Sequence, residues 1–349
     1  MKKVFLESHN LKNRTFGFGI FNYELIKALS KIEHLDLDLI LNVKNPKELE
    51  KEFGNSFRYN RYTSLQRKKW WGVSGRFDVW HCLNQNIKIE PRKKPSKYIL
   101  TIHDVNFAEN SSNKKQIDQF KEKLKRADLI TYISKFTKNQ THSYFDVQGI
   151  EEKIIYNGNP ITDFFDTSRF RSEVLVDKPY FYSIGEFLSK KNFEAIVRMM
   201  KEIPDYNLII SGNNTKPYGE KIRLLIKELN LENSVFLTGR VSEIGKQYYM
   251  KNCEAFLFPS IGEGFGLPPI EAMRFGKPVF LSNLTSLPEI GADAAFYWEN
   301  FDPIYMKNLL FDSLNEFHNN QQFYSDKAKQ RAVFFSWESA AKAYLNSYQ

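Results

Sequence analysis

An α/β protein in two halves, each a parallel sheet with crossover helices, is the fold this sequence predicts. Short β-branched and aromatic runs alternate with amphipathic helical stretches from end to end. The alternation runs through twice, and 349 residues are about twice the usual single-domain length. Hydrophobic residues at 42% and charged residues at 26% argue against disorder.

In the first half, the apolar runs predict strands at 3–8, 35–43, 78–83, 97–103, 128–133 and 153–157. Phe21, Leu25, Ala28 and Leu29 fall at helical spacing between the first two, and Phe120, Leu124 and Ala127 do so before the fifth. The second half predicts strands at 180–184, 207–211, 235–237, 255–258 and 278–281. Helices are expected there at 191–202, 217–229, 243–251 and 269–275. Two Rossmann-like domains in tandem, 1–165 and 166–334, are the simplest arrangement. Ser336 is an N-cap candidate, and Trp337, Ala340, Ala341, Tyr344, Leu345 and Tyr348 follow on one helical face. Such a face must be buried, so the 335–349 helix is expected to fold back onto the first domain.

Cys82 and Cys253 are too few and too far apart for a disulfide framework or a Cys/His metal site, and read as buried thiols of a reducing compartment. Glu7 ends the opening apolar run before a signal peptide can form, and no segment reaches the roughly 20 apolar residues a membrane helix needs. A cytoplasmic chain is expected. Its charge is unevenly placed: residues 1–165 carry 29 Lys+Arg against 19 Asp+Glu, whereas 166–349 carry 21 against 22. One surface of the first domain is therefore expected to be basic.

The stretch richest in chemistry runs from Phe258 to Met273. A buried strand ends near Phe258, the glycine-rich turn Gly262-Glu263-Gly264-Phe265-Gly266 follows, and Pro268-Pro269 open a helix carrying Glu271. Glycines let backbone N–H groups approach a ligand, and a helix start favours a phosphate. Earlier, Ser183-Ile184-Gly185-Glu186-Phe187-Leu188-Ser189-Lys190-Lys191-Asn192 reads as a strand, a loop with paired cations and a helix start. Thr15-Phe16-Gly17-Phe18-Gly19 precedes a helix, and Thr101-Ile102-His103-Asp104-Val105 ends a strand, where open α/β sheets place ligand contacts. His9, His34, His81, His142 and His318 have no such context and read as structural.

On these residues the sequence resembles the retaining glycosyltransferases of family 4, whose signature is two glutamates separated by seven residues, as Glu263 and Glu271 are. Gly239-Arg240-Val241, Leu287-Pro288-Glu289 and Trp337-Glu338 match further segments of that family. The resemblance implies the GT-B architecture, two Rossmann-like domains facing across a cleft. It also implies transfer of mannose, glucose, galactose or an N-acetylhexosamine from a UDP- or GDP-linked sugar to a saccharide or lipid-linked acceptor of surface polysaccharide or lipopolysaccharide. His103, Lys191 and Glu263 would form the catalytic set, with His103 and Glu263 toward the transferred sugar. Lys190 and Lys191 would meet the departing diphosphate beside Gly17, Gly19, Val241 and the amides of Gly264, Phe265, Gly266 and Leu267. Glu271 would hold the ribose hydroxyls, and Asp104 and Asn106 would border the acceptor. No metal or other cofactor is implied. Two departures stand out: Phe16 where the family commonly has glycine, and Lys190 where it more often has arginine.

A nicotinamide-dependent dehydrogenase is excluded, because the third glycine of its loop would be position 22, which is Asn22, and eight residues part the strand end from Gly17. A nucleotide-sugar epimerase on the same fold and an inactive partner subunit stay open. Arg67-Lys68-Lys69-Trp70-Trp71 sets aromatics beside cations, which suits an anionic membrane surface, on the inner face of which the protein would be peripheral. A solvated loop with its tryptophans turned inward is the other reading. No nucleic-acid motif accompanies the patch.

Overall fold

The computed structural model describes residues 1–14, 17–68, 70–172, 174 and 177–349. Thr15, Phe16 and Lys69, named above, lie outside the described residues. The chain divides into two compact units, residues 1–160 with 336–349 and residues 161–335.

The first unit runs β1 (Lys2–Glu7), α1 (Gly17–Leu29), β2 (Leu37–Val43), α2 (Pro46–Phe53), β3 (Arg58–Arg61), β4 (Val79–Cys82), β5 (Lys97–Ile102), α3 (Lys114–Leu124), β6 (Leu129–Tyr132), α4 (Lys135–Tyr144) and β7 (Glu151–Ile154). Its sheet has the order β3-β2-β1-β4-β5-β6-β7, with every pairing parallel. Strands covered on both faces read as continuous apolar runs, which is why Val4-Phe5-Leu6 and Ile99-Leu100 are fully buried.

The second unit runs β8 (Tyr180–Ile184), α5 (Phe193–Met200), β9 (Asn207–Ser211), α6 (Pro217–Glu228), β10 (Val235–Gly239), α7 (Glu243–Asn252), β11 (Ala255–Phe258), α8 (Leu267–Met273), β12 (Val279–Ser282), α9 (Leu287–Gly291), β13 (Phe296–Trp298), α10 (Pro303–Asn319) and α11 (Gln321–Phe334). Its parallel sheet has the order β10-β9-β8-β11-β12-β13. Side chains alternate between the faces of a strand. Phe181, Leu208, Ile210 and Leu257 accordingly enter one core, and Tyr182, Ile209, Phe256 and Phe258 the other.

The last helix, α12 (Trp337–Tyr348), belongs to the first unit. Ser336 Oγ accepts the N–H of Ser339 as its N-cap. Trp337, Ala340, Ala341, Tyr344, Leu345 and Tyr348 are all buried, as their spacing predicts. His81, on β4, anchors the helix: its Nδ1 lies 2.8 Å from Tyr348 Oη and its Nε2 2.8 Å from Thr101 Oγ1. No helix among the described residues is long and apolar enough to cross a membrane.

Candidate active site

In an open parallel sheet, ligands meet the carboxyl ends of strands where the strand order reverses. In the second unit that point lies between β8 and β11, which pair directly through Phe181↔Ala255 and Tyr182↔Phe256. The pairing brings two remote segments together: the turn 189–191 after β8 and the glycine-rich loop after β11. Ile261 N–H donates to Lys190 O at 2.8 Å, fastening one to the other.

Glu263 is the centre of this junction. Its Oε1 accepts from Lys191 Nζ at 2.5 Å and lies 2.6 Å from Ser260 Oγ. Ser260 Oγ is also 2.9 Å from Lys190 O, so its single proton is shared between carboxylate and carbonyl. Burial alone would raise the Glu263 pKa; the charges of Lys191 and Lys190 and the hydrogen bonds from Lys191 and Ser260 outweigh it and hold the carboxyl below its usual range. Lys191 is itself nearly buried, with Nζ 4.9 Å from the Phe258 ring centroid. The main chain of the loop is pinned from β12's side: Glu263 N–H donates to Thr285 Oγ1 at 3.2 Å, and Ser286 Oγ donates to Phe265 O at 2.8 Å. Thr285 has φ 55, a left-handed conformation that costs a β-branched residue energy and that clusters at functional sites.

Gly266, at φ 105, is the N-cap of α8, and a Cβ there would press on Leu287. The helix begins at Leu267, two residues before the sequence places it. Glu271 is buried within it and its Oε1 accepts from Lys246 Nζ at 2.9 Å. Val241, half-buried, packs on the second core. Ser260, Thr285 and Lys246 were not singled out by the sequence. The Ser at the end of the β11 run was adjacent to the motif, but the other two come from segments that only the tertiary fold brings near.

In the first unit, His103 follows β5. Its Nε2 lies 2.9 Å from Leu83 O, so Nε2 carries the proton and Nδ1 is left as an acceptor. Burial, only partly offset by the Leu83 hydrogen bond, pushes its pKa down to about 4, so the ring is neutral at pH 7. Phe18 and Phe21 pack edge-on against it, with centroids at 4.9 and 4.6 Å. Gly17 and Gly19 open α1. A Cβ at Gly19 would run into the Asn13 carbonyl, whereas Gly17 faces open space, so packing explains only the second glycine. Asp104 is half-buried, and Asn106 Oδ1 accepts from Gln140 Nε2 at 3.0 Å. A cavity of about 480 Å³ lies nearby, lined by amides including Gln85, Asn86, Gln116 and Gln119, with Lys88 and Phe107.

The basic segment is less uniform than its sequence. Arg58 forms an ion pair with Asp38 of the neighbouring strand β2. Arg67 lies 3.0 Å from His9 Nε2, while His9 Nδ1 meets Glu7 at 2.8 Å. Trp70 is 71% exposed, which disposes of an inward-turned indole there. Among the described residues, no group of three or more His, Cys, Asp or Glu comes together as a metal site would require.

Two parallel α/β units, the second with cations, a carboxylate and a glycine-rich loop at its switch point, make a Rossmann-type architecture. Residues 164–308 match the family described as Glycosyl transferases group 1. The chain is 26% identical to the O-antigen chain mannosyltransferase RfbU of Salmonella typhimurium, over 90% of this chain and 94% of that one. It is 24% identical to the O-antigen chain mannosyltransferase B of Escherichia coli, over 99% of both. Its fold is that of Anabaena Alr3699/HepE, solved in complex with UDP-glucose: TM-score 0.71, 15% identity, covering 99% of this chain and all of the other. The chain is a glycosyltransferase with the GT-B fold, and its 164–308 segment is what resembles the group 1 enzymes.

Proposed function

We propose that this glycosyltransferase moves a hexose, with retention of anomeric configuration, from a nucleoside diphosphate sugar to a saccharide or lipid-linked saccharide of a growing surface polysaccharide. The observation that carries this reading is the Lys191–Glu263–Ser260 cluster on the glycine-rich loop. Breaking the sugar–diphosphate bond leaves charge on the diphosphate, and fixed cations that meet it lower the barrier. Lys191 is paired with Glu263; a bound diphosphate would compete for it, leaving Glu263 to the sugar. Glu271 would accept from the ribose hydroxyls, and neutral His103 would accept from a sugar hydroxyl through Nδ1. Within the second unit, Lys190, Val241 and the 264–267 amides complete the donor set in this reading, and Gly17 and Gly19 are the first unit's candidates for the donor.

Mannose is the first candidate sugar, because both relatives named above are O-antigen chain mannosyltransferases. The acceptor is placed with Asp104, Asn106 and the amide-lined cavity of the first unit, since amides both donate to and accept from sugar hydroxyls. The chemistry is proposed to need no divalent metal, the lysines filling that role.

A panel of GDP-mannose, UDP-glucose, UDP-galactose and UDP-N-acetylglucosamine, with oligosaccharide acceptors and excess chelator, tests all of this. One donor is expected to give a product of unchanged anomeric configuration by NMR. An inverted product overturns retention, and activity lost to chelator but restored by Mg²⁺ or Mn²⁺ overturns the metal-free reading. A new nucleotide sugar formed without acceptor marks an epimerase; no binding or turnover of any donor marks an inactive subunit.

A further inference from the structure

Helix α7 buries a lysine. Lys246 sits on its inward face with Gly245, Tyr249 and Met250, and its side chain is only 11% exposed. Its Nζ lies 2.9 Å from Glu271 Oε1 on α8 and 2.8 Å from Glu243 Oε2 on its own helix. Burying an ammonium is costly unless its protons are paired. Burial works against the charge here, but the two carboxylates outweigh it and the pKa is raised, so Lys246 is a cation at any working pH. An ammonium that valuable to keep paired fixes what it is paired with.

What it fixes is Glu271. A glutamate side chain has three torsions, and this one, 6% exposed, has one oxygen held by a cation from the adjacent helix. Its Oε2 accepts no hydrogen bond among the described residues. One oxygen is clamped and the other is left to a ligand. We propose that Lys246 is a positioning residue for donor binding: it orients Glu271 so that the open oxygen receives the ribose hydroxyls of a nucleoside diphosphate. The proposal rests on the reading of Glu271 as the ribose acceptor, and Lys246 acts through that carboxylate without touching the ligand.

The measurement is a ratio. Calorimetric titration with GDP and UDP, each beside its 2′,3′-dideoxy analogue, gives the factor by which the ribose hydroxyls tighten binding. For the nucleotide that binds, the wild type is expected to prefer the ribose form by about tenfold or more. Lys246→Met is expected to bring that factor to within about twofold of unity by weakening the ribose form alone, and to add nothing in a Glu271→Met background. A general loss of stability would weaken both forms and leave the ratio intact. A wild-type ratio in Lys246→Met therefore overturns the proposal, whatever its melting temperature. Should that variant not fold, Lys246→Gln, which keeps a donor without the charge, is titrated in its place and the same ratio decides. A different result, no ribose preference in the wild type and none lost in Glu271→Met, overturns the Glu271 reading itself.

Discussion

Lys191 and Glu263 answer each other's charge, and each is defined by that pairing. Removing the lysine leaves a buried carboxylate opposed mainly by Lys190 and the Ser260 hydroxyl. Lys191→Ala is expected to lower kcat by about 10²- to 10³-fold, the cost of one lost charge-stabilising group, with a smaller effect on KM. The same change should move the acid limb of the rate profile to higher pH. In the wild type the Glu263 pKa is depressed, so its ionised form persists as pH falls through the usual carboxylate range; without Lys191, burial raises it and protonation comes earlier. A pH–rate profile of both proteins checks this, and an unchanged kcat with an unmoved acid limb would refute it. Glu263, Glu271 and Lys191 were legible because glycines, prolines and spacing surround them. Lys246 and Thr285 were not, because a buried ion pair between neighbouring helices and a strained φ leave no local pattern in the chain.

Elements were legible in proportion to their burial. The strands β5, β8, β9 and β11 are apolar runs with both faces covered, and the sequence places each within a residue. Strand β3, Arg58-Tyr59-Asn60-Arg61, is a polar edge recruited by pairing with β2, and β13 is three residues long; neither has a period to detect. Helix α11 is fully buried only at Ala328 and Ala332, the rest of its length being exposed or half-buried. By contrast α12 announces itself through its aromatic face, and its anchor sets a pH limit. Burial, with the nearby His103, pushes the His81 pKa down to about 3, against an unfolded value of about 6.5. The neutral ring is the folded form, so its stabilisation is complete above about pH 6.5 and declines as pH falls toward about 3. His103 behaves alike. At pH 5.5, above the carboxylate range, each should have cost the first unit on the order of 1.4 kcal/mol relative to pH 7.5. Hydrogen exchange read by peptide should show α12 and β4 losing protection over that interval, and α12 protection unchanged between the two would contradict the anchoring role.

At the scale of the whole molecule, the uneven charge is the feature that neither sheet requires. Net charge near +10 falls on residues 1–165 and near −1 on the rest, yet both halves fold as parallel α/β units of the same kind. The excess is therefore available to a partner. The structure thins the cluster, since Arg58 is committed to Asp38 and Arg67 lies against His9, but Lys68 and Arg76 are exposed beside Leu65 and Trp70. Exposed indole and leucine in a cationic segment suit a lipid headgroup layer, where each basic side chain gains about 1 kcal/mol at an acidic surface. The attraction acts within a Debye length of about 8 Å at physiological salt, so it should weaken as salt is added. We propose that residues 58–76 hold the first unit to an anionic membrane carrying a lipid-linked acceptor. In flotation with phosphatidylglycerol-containing and purely phosphatidylcholine vesicles, the wild type should rise with the first alone and be released by salt. The variant Lys68→Glu with Trp70→Ser should stay with neither. If both proteins float equally with anionic vesicles, or if salt has no effect, the patch is a solvated surface and the acceptor must be met by the sugar-reading residues alone.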